Sequence, residues 1–557
     1  AGCPGAGRGR RRPVSAGGCA IGLDFGTESG RAALLDLSSG EVLATSVVEY
    51  SSGVIDTTLP SSGEQLPPDW ALQDPDDWVT VIERAVPEVV SMADVPGDAV
   101  RGFGIDFTSC TVLPVTADGV PLCTMERWRE HRHAWPKLWK HHAAQPVADR
   151  LNEVALERSE PFLERYGGRI SSEWYFPKLI ELWLEDRELY DETDAFVEAT
   201  DWIVWHLTGA PCRQTATAGF KAMWSPDEGL PPTAYFEAAY PGFDRPADKL
   251  GDSFVPLGTC AGTMQPKLAD RLGLPPSVAV AVGNVDAWVS VPGVGVREPG
   301  TFVVAIGTSI CDMVVDPAEK RLPGLTGVVK DGILPGMYGY EAGQAAVGDM
   351  LAWFVRKLAG DPDGYATLER AAAEMRPGQT GLVALDWFNG NRTILADADL
   401  SGAILGLTLQ TTREQIYRAL LESIAFGSRR IMDNFEEHGL GLSRIVACGG
   451  IAERSPLMMQ LLADTSGREV AVPEVREIPA RGAALFGAVA AGVYPDIGAA
   501  IEATRPERVR TYRPDLDAKR TYDRIYEIYR TLYDLLGRSQ AQLMHDLKRV
   551  RTERRVP

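Results

Sequence analysis

The feature that most constrains this chain is a loop that it carries twice. The apolar run Cys19-Ala-Ile-Gly-Leu-Asp24 reads as a buried strand and leads into Asp24-Phe25-Gly26-Thr27. Far along the chain, Thr301-Phe-Val-Val-Ala-Ile306 reads as a second such strand. It leads into Gly307-Thr308-Ser309 and then another apolar run. In both places a glycine lets the backbone turn close to a ligand, and the next residue adds a hydroxyl and an N–H. Successive N–H groups in such a turn make a nest of phosphate size. Asp24 adds a carboxylate that can hold a magnesium ion through the ion's own waters. One such loop says little, because a plain hairpin turn has the same composition. Two of them, each opening one half of a 557-residue chain, imply two domains facing each other across a cleft. A chain of that length needs more than one core in any case.

The remaining pattern fits two α/β units. Residues 32–37 and 42–50 suit a hairpin around Ser38-Ser39-Gly40, and Gly102-Phe-Gly-Ile-Asp106 is another buried strand. From about 126 to 210 the pattern turns helical. Eleven of the thirteen tryptophans lie between Trp70 and Trp288, which gives a flat-faced ligand its stacking partners in the first half. In the second half Thr411 and Glu414 fit a capping box. Ile416, Leu420, Ile424, Ile431 and Phe435 then line one face of a long helix that Gly439 would stop. The expected division is a disordered basic arm at 1–17, an N-terminal domain at 18–296, a C-terminal domain at 297–540 and a basic tail at 541–557.

Charge and cysteine usage exclude several roles. The formal charge is −20, and each terminus carries a surplus of four positive charges, so the body between them stands at −28. A body that acidic repels phosphate backbones and anionic membranes. The two basic ends read as short solvated arms. Eight scattered cysteines show no C-x-x-C pair and no zinc spacing, as expected of reduced thiols in a cytoplasmic protein. No apolar run follows the N-terminal arginines, so they do not begin a secretory signal. The apolar stretch from Ser277 to Val296 is long enough to suggest a membrane span. However, Asn284, Asp286, Pro292 and its glycines fit a buried strand followed by a turn.

Two further segments bear on chemistry. Cys448-Gly449-Gly450 follows the apolar strand Arg444–Cys448, and the glycine pair allows a flat adenine to come close. A helix beginning after Ser455-Pro456 offers its positive N-terminus. No G-x-x-x-x-G-K-[ST] loop occurs, so this is not a Walker A site. Asp286, in Val282-Gly-Asn-Val-Asp-Ala287, is a lone carboxylate at the end of an apolar run. Such a group usually has a partner or a task, because burying it unpaired is costly. As a base it would suit phosphoryl transfer to a hydroxyl; as a helix cap it would be purely structural.

Together these segments resemble the FGGY carbohydrate kinases, part of the actin, hexokinase and Hsp70 superfamily, from about residue 20 to about 515. A long signature of that family stands in Gly402-x-Ile404-x-Gly406-Leu407, seven residues, then Gln415-Ile416-x-x-Ala419-Leu420-Leu421-Glu422. Finer segments resemble the branch that acts on ribulose: Gly104-Ile-Asp-Phe-Thr-Ser109, Leu138-Trp-Lys-His-His-Ala-Ala-Gln145, Gly168-Arg-Ile-Ser-Ser-Glu-Trp174, Ala199-Thr-Asp-Trp-Ile-Val-Trp205, Thr217-Ala-Gly-Phe-Lys-Ala-Met-Trp224, Val282-Gly-Asn-Val-Asp-Ala287 and Tyr340-Glu-Ala-Gly-Gln344.

The resemblance implies two actin-like (ribonuclease H-like) domains with a cleft between them, sugar-binding insertions in the first and a nucleotide-binding second. It implies ATP and Mg2+ as cofactors. By it Asp286 is the catalytic base, and Asp24, Gly26 and Thr27 line the phosphates, with Asp24 holding magnesium through water. Gly307, Thr308, Gly449 and Gly450 hold the nucleotide. The sugar meets Ser109, Trp139, Lys221, Asp286 and Glu341. Glycerol kinases carry Arg-Glu where this chain has Ser109-Cys110, which argues for a longer polyol. The implied reaction is phosphorylation of L-ribulose, or another 2-ketopentose, at its 5-hydroxyl in pentose (L-arabinose) breakdown. A family member acting on xylulose or D-ribulose, and an actin-like ATP-binding regulator without chemistry, are the alternatives. The implied partners are the sugar and ATP, with no nucleic acid or membrane, in a homodimer or homotetramer.

The residue types suit these roles. Lys221 can donate to hydroxyls or a carbonyl, Glu341 can accept, and Trp139 offers an apolar face to sugar carbons. Structural readings stand beside them: Lys221 as a surface lysine whose stem covers Trp224, and Glu341 paired with an arginine. His131, His133, His141 and His142 are spaced for the exposed face of a helix, with no further group to complete a metal site.

Overall fold

Each half of the chain is built on its own seven-stranded mixed sheet. The computed structural model describes residues 17–360 and 364–553; the predicted N-terminal arm therefore lies, but for Gly17, outside the described residues. The first sheet uses β1 (Cys19–Phe25), β2 (Ser29–Asp36), β3 (Val42–Glu49), β4 (Val100–Phe107), β5 (Cys260–Thr263), β6 (Ala279–Ala281) and β7 (Asn284–Val285). Its order is β3-β2-β1-β4-β6-β5, with β7 also on β4. Three helices of this half matter below: α1 (Tyr175–Glu185), α2 (Thr215–Ala222) and α3 (Asp286–Gly293). The second sheet uses β8 (Thr301–Ile306), β9 (Ile310–Asp316), β10 (Gly327–Lys330), β11 (Tyr338–Gln344), β12 (Arg444–Cys448), β13 (Val470–Pro473) and β14 (Val509–Tyr512), in the order β10-β11-β9-β8-β12-β13-β14. Its helices include α4 (Arg413–Glu437), α5 (Ile478–Ala490) and α6 (Ala541–Glu553).

The duplicated loops sit at equivalent places. β1 runs antiparallel to β2 and parallel to β4, and β8 runs antiparallel to β9 and parallel to β12. Each loop is thus a hairpin turn at the carboxyl end of a central strand, where ligands bind in open α/β sheets.

The two sheets are tied together by α5. Strand glycines normally weaken a sheet. Here they give a helix room to lie on the sheet. A Cβ on Gly22 would fall 1.7 Å from the Ala480 carbonyl oxygen, and one on Gly104 would fall 1.6 Å from that of Ala483. The helix comes from the second half of the chain but rests on β1 and β4 of the first. An apolar cluster continues this junction, bringing Val285, Trp288 and Val289 together with Val303, Met313, Val446 and Ile478.

Several sequence expectations shift. The long helix α4 is capped by Thr412 and Gln415, one residue later than expected; the Thr411 hydroxyl instead accepts from the Thr408 N–H at 2.9 Å and closes the preceding turn. Its predicted face does pack inward, with Leu420, Ile424, Ile431 and Phe435 buried. The apolar stretch after Ser277 is the two short strands β6 and β7 followed by the helix α3, not a turn, and among the described residues no helix is long and apolar enough to cross a membrane. Most tryptophans build cores: Trp78, Trp128, Trp174, Trp288 and Trp387 are almost fully buried. The described part of the basic tail is the helix α6. It is no solvated arm, because His545 pairs with Asp397 at 2.8 Å and Lys548 with Asp399 at 2.7 Å.

Candidate active site

The floor of the site is a row of carboxylates at neighbouring strand ends. In the parallel pair β1–β4, Asp24 lies opposite Asp106, and Asp106 in turn lies opposite Asn284 on β7. Two residues beyond Asn284, Asp286 opens α3, where its Oδ1 accepts the Ala287 N–H at 2.6 Å. Asp24 and Asp106 are buried, and both carboxylate oxygens of Asp106 lack a partner of the opposite kind. A guanidinium stands close to Asp24: Arg31, across the hairpin, has its Nε 3.4 Å from Asp24 and its Nη1 3.3 Å from Glu477 at the entry to α5.

One guanidinium among three carboxylates leaves negative charge to spare, and the proton affinities follow. Burial, aided by the charges of Asp24 and Asp286, pushes the Asp106 carboxyl far up. Burial also raises Asp24, with Arg31 opposing. Asp286 is pushed up to about 7, first by burial and then by Asp24 and Glu341, against the Ala287 N–H and Lys221. Such a row, with orphaned carboxylate oxygens, fits a divalent cation. Among the described residues no three His, Cys, Asp or Glu side chains converge for direct ligation. Magnesium does not require that, since it keeps most of its waters and takes one or two carboxylates.

Two of the three charged residues predicted for the sugar, Lys221 and Glu341, meet across the two halves. Lys221, on α2, places its Nζ 3.1 Å from both carboxylate oxygens of Glu341 on β11, and the Trp288 indole N–H donates to Glu341 Oε2 at 2.8 Å. Lys221 is 3% exposed, so it is no surface lysine, and Glu341 pairs with this lysine and not with an arginine. Burial disfavours the Lys221 charge most, but Glu341, Cys110 and Glu173 together outweigh it and hold the ammonium above its usual range. The two uncharged residues predicted for the sugar, Ser109 and Trp139, are half-buried on loops of the first half. The Trp139 indole donates to the Thr27 hydroxyl at 3.1 Å, joining this side to the first phosphate-type loop.

In the second half, Gly307-Thr308 and Gly449-Gly450 end adjacent parallel strands, with Ala305 opposite Cys448. Gly449 has a φ of 89°, and a Cβ there would meet the Ile306 carbonyl oxygen at 2.6 Å, so only glycine fits. The Thr308 carbonyl accepts the Val347 N–H at 2.9 Å, which pins the loop. At the helix after Pro456, the Ser455 side chain accepts the Met458 N–H, so the cap satisfies part of that N-terminus itself.

Asp106 is the site residue that was missed. Its signal was present: Gly22-Leu23-Asp24 and Gly104-Ile105-Asp106 repeat the same pattern, and the structure sets them side by side. The four histidines are not on an exposed helix face. His141 and His133 are buried and bonded to Glu181 and Glu185, at 2.9 and 3.0 Å.

With this geometry established, the comparisons with known proteins define the class. The FGGY family of carbohydrate kinases matches by its N-terminal domain over residues 19–293 and by its C-terminal domain over residues 302–491. The chain belongs to that family, and it is a sugar kinase of the ribulokinase type. It is 48% identical to the ribulokinases of Anoxybacillus flavithermus and Geobacillus thermodenitrificans, over 95% of this chain and 96% of each relative. Among solved structures, the xylulose kinase of Rhodospirillum rubrum superposes with a TM-score of 0.75 at 26% identity, covering 95% of this chain and 100% of that one. The fold is that of the two-domain kinases of the actin-like superfamily, and the family's reaction uses ATP.

Proposed function

We propose that this chain transfers the γ-phosphoryl group of ATP to the 5-hydroxyl of L-ribulose, with Asp286 as the base. The observation that carries this reading is Asp286 itself. It is a carboxylate at the head of α3, pushed up to about 7 and flanked by Asp24 and the Lys221–Glu341 pair. A base with that affinity is poised to take a proton near neutral pH. In the reaction the 5-hydroxyl gives its proton to Asp286 and its oxygen bonds to the γ-phosphorus. The bond from that phosphorus to the β,γ-bridging oxygen breaks, and ADP leaves. Lys221, Glu341 and Ser109 orient the sugar, while Gly307, Thr308, Gly449 and Gly450 hold the nucleotide. Magnesium, carried by Asp24 through water with Asp106 behind it, would neutralise charge on the phosphates.

The names of the relatives support ribulose as the acceptor. The test is a panel of the four 2-ketopentoses, xylitol, ribitol and glycerol with ATP, followed by identification of the product. The expected result is the highest kcat/KM on L-ribulose and a phosphate ester on carbon 5. A higher kcat/KM on any other acceptor would overturn the substrate assignment.

A further inference from the structure

The loops proposed to face the sugar rest on one buried lysine. Lys178 lies on α1, is 0% exposed and points at two backbone carbonyls from different segments: Cys110 O at 2.6 Å and Leu138 O at 2.8 Å. Cys110 follows Ser109, and Leu138 precedes Trp139. One ammonium thus bridges the two loops whose side chains are assigned to the sugar. The loops also meet each other through Val112 and Lys137, which exchange backbone hydrogen bonds at 3.0 and 2.8 Å.

The rest of α1 shows why this is a built support. Lys178, Glu181 and Glu185 fall at positions i, i+3 and i+7, which share one face of a helix. Glu181 accepts from Lys137 at 2.5 Å and from His141 at 2.9 Å, and Glu185 takes His133 at 3.0 Å and Arg132 at 3.1 Å. A polar stripe on one helix therefore holds the segment 132–141, which contains Trp139, at Arg132, His133, Lys137 and His141. At Cys110 the support has a specific task. Its φ is 60°, a left-handed conformation unusual for a residue with a Cβ. No strand ladder sets that turn, and the charged hydrogen bond to its carbonyl opposes relaxation. Burial pushes Lys178 down to about 8, so it still carries its charge at neutral pH.

We propose that Lys178 is a positioning residue for the sugar, fixing the Ser109–Cys110 and Leu138–Trp139 loops in the geometry that binds it. This rests on the sugar site assigned above. A neutral side chain of similar length would leave the Cys110 carbonyl buried without its donor and unlink it from Leu138, whose carbonyl keeps the His141 N–H at 2.9 Å. A lost charged hydrogen bond in a dry site corresponds to roughly 10- to 100-fold in affinity. The experiment measures KM for the wild-type protein's preferred ketopentose, KM for ATP and the melting temperature in Lys178→Met. The expected result is a sugar KM raised about 10- to 100-fold with KM for ATP within about twofold. Lys178→Gln, which keeps one amide donor, carries the same comparison if the methionine variant does not fold. A folded variant with an unchanged sugar KM, or with both KM values raised equally, overturns the assignment. So does failure of both variants to fold, which makes Lys178 a residue of the fold alone. A wild-type protein inactive on every ketopentose would instead sink the sugar assignment, so the two failures are distinct.

Discussion

The Lys221–Glu341 pair joins a buried ammonium to a half-buried carboxylate, both assigned to the sugar. Removing one leaves the other unpaired, which costs more than the contact itself is worth. Lys221→Ala and Glu341→Ala should therefore each raise the sugar KM far more than the ATP KM, by about 1.5–3 kcal/mol of lost binding. The double variant should lose less than the sum of the two; additive losses measured by steady-state kinetics would mean that they act separately. Asp286 gives a second test, through stability. Its folded-state pKa of about 7 lies above the ordinary 3.8, so the folded protein holds that proton more tightly than the unfolded chain. Stability from this group is therefore full below pH 4 and is lost as pH rises through 7. Asp286→Asn removes the buried charge. The variant should be more stable than wild type at pH 8, by about 1–3 kcal/mol, and nearly equal to it at pH 4. Urea unfolding at both values measures this, and a variant less stable at pH 8 would show that Asp286 is chiefly a cap.

Among the elements, α5 carries the most consequence. Its backbone lies so close on β1 and β4 that a methyl group at Gly104 would occupy the Ala483 carbonyl. Gly104→Ala should cost at least about 3 kcal/mol or prevent soluble folding, as overpacking against backbone does; urea midpoints within error of wild type would contradict the packing. This contact also marks the limit of what could be read in advance. The strands, their loops and the face of α4 follow from local periodicity, and the capping box missed by one residue because Thr411 and Thr412 both fit the same spacing. The placement of Asp286 and of the glycine loops just beyond strand ends was legible in the apolar runs that precede them. The docking of α5 was not, since it joins segments hundreds of residues apart and leaves only unexplained glycines in two strands. The partnership of Asp24 with Asp106 was hidden for the same reason: it depends on sheet register. The histidines misled because a spacing suited to a helix face belongs here to an irregular segment bonded to α1.

At the scale of the whole molecule, Lys221 and Trp288 of one half reach Glu341 of the other. A sugar held at that junction should draw the halves together and exclude water. The radius of gyration from solution scattering should fall on adding saturating sugar, and calorimetry should show tighter nucleotide binding; no change in either would argue for a rigid cleft. The central claim is that the assembled cleft binds both substrates and that Asp286 alone takes the proton. The most direct test is the turnover of Asp286→Asn, measured with sugar and ATP affinities on the same folded protein. Loss of a positioned base is expected to lower kcat by about 10²–10⁴-fold, with both affinities retained. A folded Asn variant that turns over within about tenfold of wild type, below the range a lost general base gives, would contradict the account.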